Sequence, residues 1–220
     1  MDRSRAALIW RGVFAAVGWA ALGLQYGLMI SGLTAAETAT RTLHFFSFFT
    51  ILTNLLVAVA LTLPVIGART QLGHRASAEG VRAGVTMYAV VVGLVYHFLL
   101  HATWNPQGWP YVANIALHYV MPAAILIDWL AFTPNGRLRW IDAAKWLGFP
   151  LFYGGWTLLH GAVSGWYPYW FMDAGELGLG RTLLNFSGLL IFFGLIGLIV
   201  VAIDRTLGRR DRTARSVGPG

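Results

Sequence analysis

Long apolar runs broken by short polar stretches set the pattern of this chain. Six runs predict helices over residues 7–30, 45–66, 83–102, 111–132, 146–164 and 183–203. Each approximates the ~20 residues needed to cross a ~30 Å hydrocarbon layer. None shows strand alternation, and only helices or closed barrels satisfy their backbone inside lipid. The predicted fold is therefore an all-α polytopic membrane protein with six transmembrane helices. Arg3 and Arg5 precede the first run, as in a signal peptide. That run exceeds the ~7–15 apolar residues of a signal core and no cleavage site follows, so it reads as a retained helix. Residues 1–204 are expected to form the transmembrane domain and 205–220 a basic cytoplasmic tail. No soluble domain, repeat or long linker is evident.

The few polar positions inside the runs are unevenly placed. Thr50, His97, His101, His118, His160 and Asn185 fall in the same half of the membrane, although they come from five segments. At 1.5 Å per residue, Thr50 lies roughly 8 Å and His118 about 10 Å below one surface. Helical phase groups them further. Ser47, Thr50 and Asn54 share a face, as do Gly93, His97 and His101, and Asn114 lies one turn before His118. Trp156 and His160 repeat that spacing. If these faces turn inward, they line a polar pocket in the outer half. Polar groups in lipid are costly and often functional, whereas a single Ser, Thr or Asn more often bridges helices. Asp128 is the exception, expected at the opposite end of its helix against headgroups or a basic loop residue.

Composition agrees with a membrane location. The chain is 57% hydrophobic and 11% charged, against about 25% charged in soluble domains. Its 16 basic residues exceed its 9 acidic ones, but they are dispersed into loops and one tail, which argues against nucleic acid. Cys is absent, which removes disulfides and thiolate chemistry. Ten Trp and eight Tyr suit interfacial belts. Lys and Arg number three each in 1–11, 67–82 and 133–145 and five after Ile203, whereas the other side holds only Arg41 and Arg181. This asymmetry predicts cytoplasmic termini, with the tail against anionic headgroups.

Three chemistries suit the polar cluster. A Thr hydroxyl needs a general base to act as nucleophile, most often His. Thr50 and His118 lie at matching depth, with Asn54, Asn114, Asn185 or His160 available to orient the base or stabilise an oxyanion. Alternatively, His97 and His101 are spaced to hold a metal, with His118 or His160 as third ligand, but no carboxylate lies at that depth. Two His from different helices can also ligate haem, although the inner half lacks His. Neither cofactor is expected. Transport is disfavoured because no charged path crosses the apolar inner half.

Three stretches carry a family resemblance: Phe49-Thr50-Ile51-Leu52; Asn114-Ile115-Ala116-Leu117-His118 with Pro122 and Ile125-Leu126-Ile127-Asp128; and His160 with Gly165 and Tyr167-Pro168. In these motifs and its six-helix plan the chain resembles the androgen-induced family of membrane proteins, which includes the androgen-dependent regulator of tissue factor pathway inhibitor. The resemblance implies an intramembrane threonine hydrolase acting on fatty acid esters of hydroxy fatty acids or related lipid esters. Thr50 would be the nucleophile, His118 the base, and His160 would match a family His. Relatives carry an acidic residue where this chain has Thr53 and lack the His97/His101 pair. The preference for Arg over Lys and the short loops point to a bacterial inner membrane protein.

Overall fold

The computed structural model describes Arg3–Ser216, of which the side chains of Arg3 and of residues from 210 onward lie outside the description. All elements among the described residues are helical, in two compact units, Met1–Thr133 and Pro134–Gly220. Five helical stretches are long and apolar enough to cross a membrane: Ser4–Ile30, Phe49–Ile66, Glu79–Thr103, Trp109–Phe132 and Leu179–Arg209.

The first unit is built from α1 (Arg3–Ile30), α2 (Ala35–Phe46), α3 (Phe49–Ile66), α4 (Gln71–Ser77), α5 (Glu79–Val95), α6 (Trp109–Ile115) and α7 (Met121–Phe132). A π turn, Tyr96–Leu100, and a 3₁₀ turn, His101–Thr103, extend α5, and a second π turn, Ala116–Val120, joins α6 to α7. Four long apolar rods pack antiparallel to their neighbours. The start of α1 lies along α7, where Trp10 Nε1 donates to Ala124 O at 3.1 Å and the Trp10 ring meets Phe132. Its far end meets α2, where Tyr26 Oη lies 2.9 Å from Thr42 Oγ1. Ala15, Val57, Leu61, Ala89, Met121 and Ile125 form one part of the core. Leu22, Phe45, Ile51, Ala58 and Leu117 form another nearer α2.

The expected helix over 45–66 is interrupted. α2 ends at Phe46, and α3 begins at Phe49 after Phe48 adopts an extended backbone. The N–H of Ser47 closes the end of α2 on His44 O and Phe45 O, while its hydroxyl donates to Leu43 O at 2.8 Å. At the other end of α2, Thr34 and Glu37 form a reciprocal capping box. These bonds hold the Glu37 carboxyl below its usual pKa, chiefly through the Thr34 hydroxyl. Thus α2 is a separate helix, most of it ahead of the predicted run, and Thr50 stands in the first turn of α3.

The opposite end of this unit is not wholly apolar. Asp128 is fully buried, between Arg11 and Arg82, rather than at headgroups. Arg11 Nε donates to Asp128 Oδ1 at 2.7 Å, and Arg82 Nη2 donates to Oδ2. Arg82, expected in a loop, sits in the first turn of α5. Pro64 has no N–H for Ala60 O four residues back, and Arg82 Nη1 donates there instead, at 3.1 Å. Arg82 also donates to Ala76 O and Thr133 Oγ1.

The second unit comprises α8 (Trp140–Trp146), α9 (Gly148–Ser164), a 3₁₀ turn, Trp170–Met172, α10 (Ala174–Leu177) and α11 (Leu179–Ser216). α9 occupies the fifth predicted run but has only 17 residues, about 26 Å at the α-helical rise. α11 extends well past the predicted boundary at Ile203, so among the described residues no break falls there. Its Asp204 accepts from Leu138 N at 3.1 Å. Gly136 and Gly208 touch through their backbones, an approach any Cβ would block.

Candidate functional site

Thr50 is buried in the first turn of α3, and His118 lies at the centre of the π turn between α6 and α7. Thr50 Oγ1 and His118 Nε2 are 3.4 Å apart. The other ring nitrogen fixes what this contact means. His118 Nδ1 is 3.0 Å from Asn114 O, and a carbonyl can only accept. Nδ1 therefore carries the proton in the neutral ring, and the lone pair of Nε2 faces the Thr50 hydroxyl. This is the tautomer a general base requires. Catalytic hydrogen bonds are often long without substrate and tighten with it.

The π turn has a visible sequence cause. Pro122 has no N–H to offer His118 O, so the regular α-helical bond cannot form. The chain widens instead, with Met121 N bonding back to Ala116 O. π turns of this kind are common at functional sites. Gly93 of α5 sits where a Cβ would stand 3.0 Å from His118 O, so a larger residue there would press on this turn.

Two further side chains secure the pair. Asn54 donates from Nδ2 to Thr50 O at 2.9 Å and to Leu117 O at 3.0 Å, joining α3 to the π turn. Both amide hydrogens are thereby used, so Asn54 has none left to offer an oxyanion. Reversing its amide would set an oxygen against two carbonyls. Tyr96, which the sequence reading did not single out, stacks on His118 with ring centroids 4.0 Å apart and an interplanar angle of 25°. Its hydroxyl accepts from Asn114 Nδ2 at 2.5 Å. Tyr96 is buried at the start of the π turn Tyr96–Leu100, next to the exposed His97.

The electrostatic setting suits a developing negative charge. The first turn of a helix is the positive end of its dipole, and Thr50 stands there, behind an N-cap, Phe48, without a side-chain cap bond. Thr53 Oγ1, Asn54 Oδ1 and Asn114 Oδ1 are buried and have no hydrogen-bond partner among the described residues. Each lies within about one helical turn of Thr50 or His118 in sequence.

The remaining expected residues are distributed differently. His97 and His101 are exposed, with ring centroids 6.1 Å apart. His97 Nδ1 lies 3.1 Å from Tyr119 Oη, and His101 meets the edge of Tyr96. Among the described residues no three His or carboxylate side chains are grouped to hold a metal. His160 and Asn185 belong to the second unit. There His160 stacks on Trp156 at 5.6 Å, and Asn185 Nδ2 donates to Phe171 O at 3.0 Å, fastening the loop before α10 to α11. The structure thus brings together Thr50, Asn54, Asn114 and His118. Comparison with known protein families, with characterised proteins and with solved structures finds no match.

Proposed function

We propose that this chain is an intramembrane lipid-ester hydrolase in which Thr50 is the nucleophile and His118 the general base. The observation that carries the reading is the 3.4 Å Thr50–His118 contact with the His118 tautomer set by Asn114 O. As Thr50 Oγ attacks the ester carbonyl, His118 Nε2 takes its proton. The tetrahedral oxyanion forms at the positive end of α3. On its collapse His118 returns the proton to the leaving alkoxide, leaving an acyl-threonine. Water then gives a proton to His118 and its oxygen attacks the acyl carbon. The proton passes to Thr50 Oγ as the carboxylic acid departs.

The buried acceptors Asn54 Oδ1 and Asn114 Oδ1 suit a hydroxyl-bearing partner, either the attacking water or the alcohol product. Fatty acid esters of hydroxy fatty acids fit the apolar surroundings and the family resemblance. In this reading α9 is the sixth span, both termini are cytoplasmic, the protein lies in a bacterial inner membrane, and substrate arrives laterally from the outer leaflet. No metal or haem takes part.

The test is fluorophosphonate labelling of detergent-solubilised protein, with peptide mapping. Wild type should label at Thr50, and Thr50→Ala and His118→Ala should fail to label while unfolding at the wild-type temperature. Absence of labelling in folded wild type, or its survival in folded Thr50→Ala, would overturn the assignment.

A further inference from the structure

The Arg11–Asp128–Arg82 cluster holds two guanidinium groups against one carboxylate. Arg82 and Asp128 are almost completely buried, and the Arg11 side chain retains 12% exposure. Arg82 spreads its donors over Asp128, Thr133, Ala60 and Ala76. Arg11 differs. Its Nε bonds Asp128, but its two terminal nitrogens donate to no described residue. A forked pair of donors is thus without a partner among the described residues, on a trio that carries two positive charges against one negative. Such a charge at membrane depth calls for a counter-anion.

The surroundings narrow its identity. Leu8, Ile9 and Val13, flanking Arg11 on α1, are exposed apolar residues suited to lipid tails. Trp10, anchored on Ala124 O, places an indole beside it. Arg5, Arg69 and Arg75 are exposed at the same end of the unit. A planar guanidinium fork matches two oxygens of a phosphate, and basic sites between membrane helices recognise anionic headgroups.

We propose that Arg11 binds the phosphate of a net-anionic phospholipid, which supplies the missing negative charge at the end of the bundle remote from Thr50. The site stands independently of the hydrolase reading.

The experiment is thermal unfolding of the full chain, delipidated in neutral detergent, then mixed with phosphatidylglycerol, phosphatidylcholine or inorganic phosphate. Wild type should melt several degrees higher with phosphatidylglycerol than with phosphatidylcholine, and Arg11→Gln should lose most of that difference. Equal effects of the two lipids, or a difference undiminished in Arg11→Gln, would overturn the proposal. An equal rise with inorganic phosphate would assign the fork to a soluble anion and overturn the lipid. Should Arg11→Gln fail to fold, Arg11→Lys decides. It keeps the charge on Asp128 but loses the fork, so its phosphatidylglycerol effect should shrink, and an undiminished effect would be fatal. Fluorophosphonate labelling of Thr50 should persist in either folded variant, which separates this site from the dyad.

Discussion

Along α6 and α7, His118 and Asp128 are ten residues apart, about 15 Å by helical rise, and their surroundings differ in kind. Both Asp128 oxygens accept from arginines, and Arg82 also satisfies a carbonyl left open by Pro64. Around His118, the Thr50 contact is long and three buried oxygens have no partner among the described residues. A saturated buried network rigidifies a core, whereas a partly satisfied one is costly unless something else uses it. The first pattern belongs to a fastening between α1, α5 and α7, in which Asp128 and Arg82 are committed to one another and only the Arg11 fork stays open. The second is what a reacting site needs, since groups committed to one another in the resting protein have little left for a substrate.

The sharpest way to break this contrast is at Asp128. Asp128→Ala leaves two buried arginines without their carboxylate, and unpairing a buried ion costs about 3–5 kcal/mol. Loss of the folded protein, seen as early unfolding in a thermal scan, is expected. If Asp128→Ala melts within a degree or two of wild type, the cluster is not the fastening described.

His118→Ala should do the reverse. Removing a general base lowers turnover by about 10²–10⁴, while the unfolding temperature changes little. Ester-hydrolysis rates and thermal scans on the same preparation read both quantities. A large loss of stability with residual turnover would reverse the roles assigned to the two ends.

Asn54→Ala is expected to fall between these extremes because Asn54 serves both stability and geometry. Its two bonds join Thr50 O to Leu117 O. Hydrogen bonds between membrane helices average about 0.6 kcal/mol, so a loss of about 1 kcal/mol should accompany a tenfold or larger drop in turnover. Turnover unchanged in the folded variant would show that α3 and the π turn keep register without it.

Much of this arrangement was legible in the sequence. Hydrophobic run length points to the five long helices and to a sixth over 146–164, where α9 has only 17 residues, and depth sets Thr50 level with His118. Asn54 and Asn114 also fell on the right faces. Other features escaped because they depend on partners distant in sequence. Residues 45–48 are nearly as apolar as α3 itself, so hydropathy concealed the Ser47–Phe48 break. A basic partner for Asp128 is among the expectations, but counting Arg11 and Arg82 as loop charges hides that both share this one carboxylate within the helices. Tyr96 carries no local mark, because aromatic residues are plentiful here and nothing in the sequence distinguishes one that stacks on His118. His97 and His101, by contrast, have helical spacing suited to metal binding yet stand exposed, since periodicity says nothing of which face turns inward.

Tyr96→Phe gives the smallest expected effect and the finest distinction. The imidazole of His118 is oriented by Nδ1 bonding to Asn114 O and by the face of Tyr96. The Tyr96 hydroxyl acts one step further out, through the Asn114 amide. Phenylalanine keeps the face and removes only that link. Turnover should then fall less than tenfold, with KM and unfolding temperature nearly unchanged. Tyr96→Leu, which removes the aromatic face as well, should lower turnover further at similar stability. If phenylalanine and leucine were equally damaging, the hydroxyl-to-Asn114 link would be the orienting element and the stacking incidental. The dyad would then depend on a hydrogen-bonded chain, as the arginine cluster at the far end does.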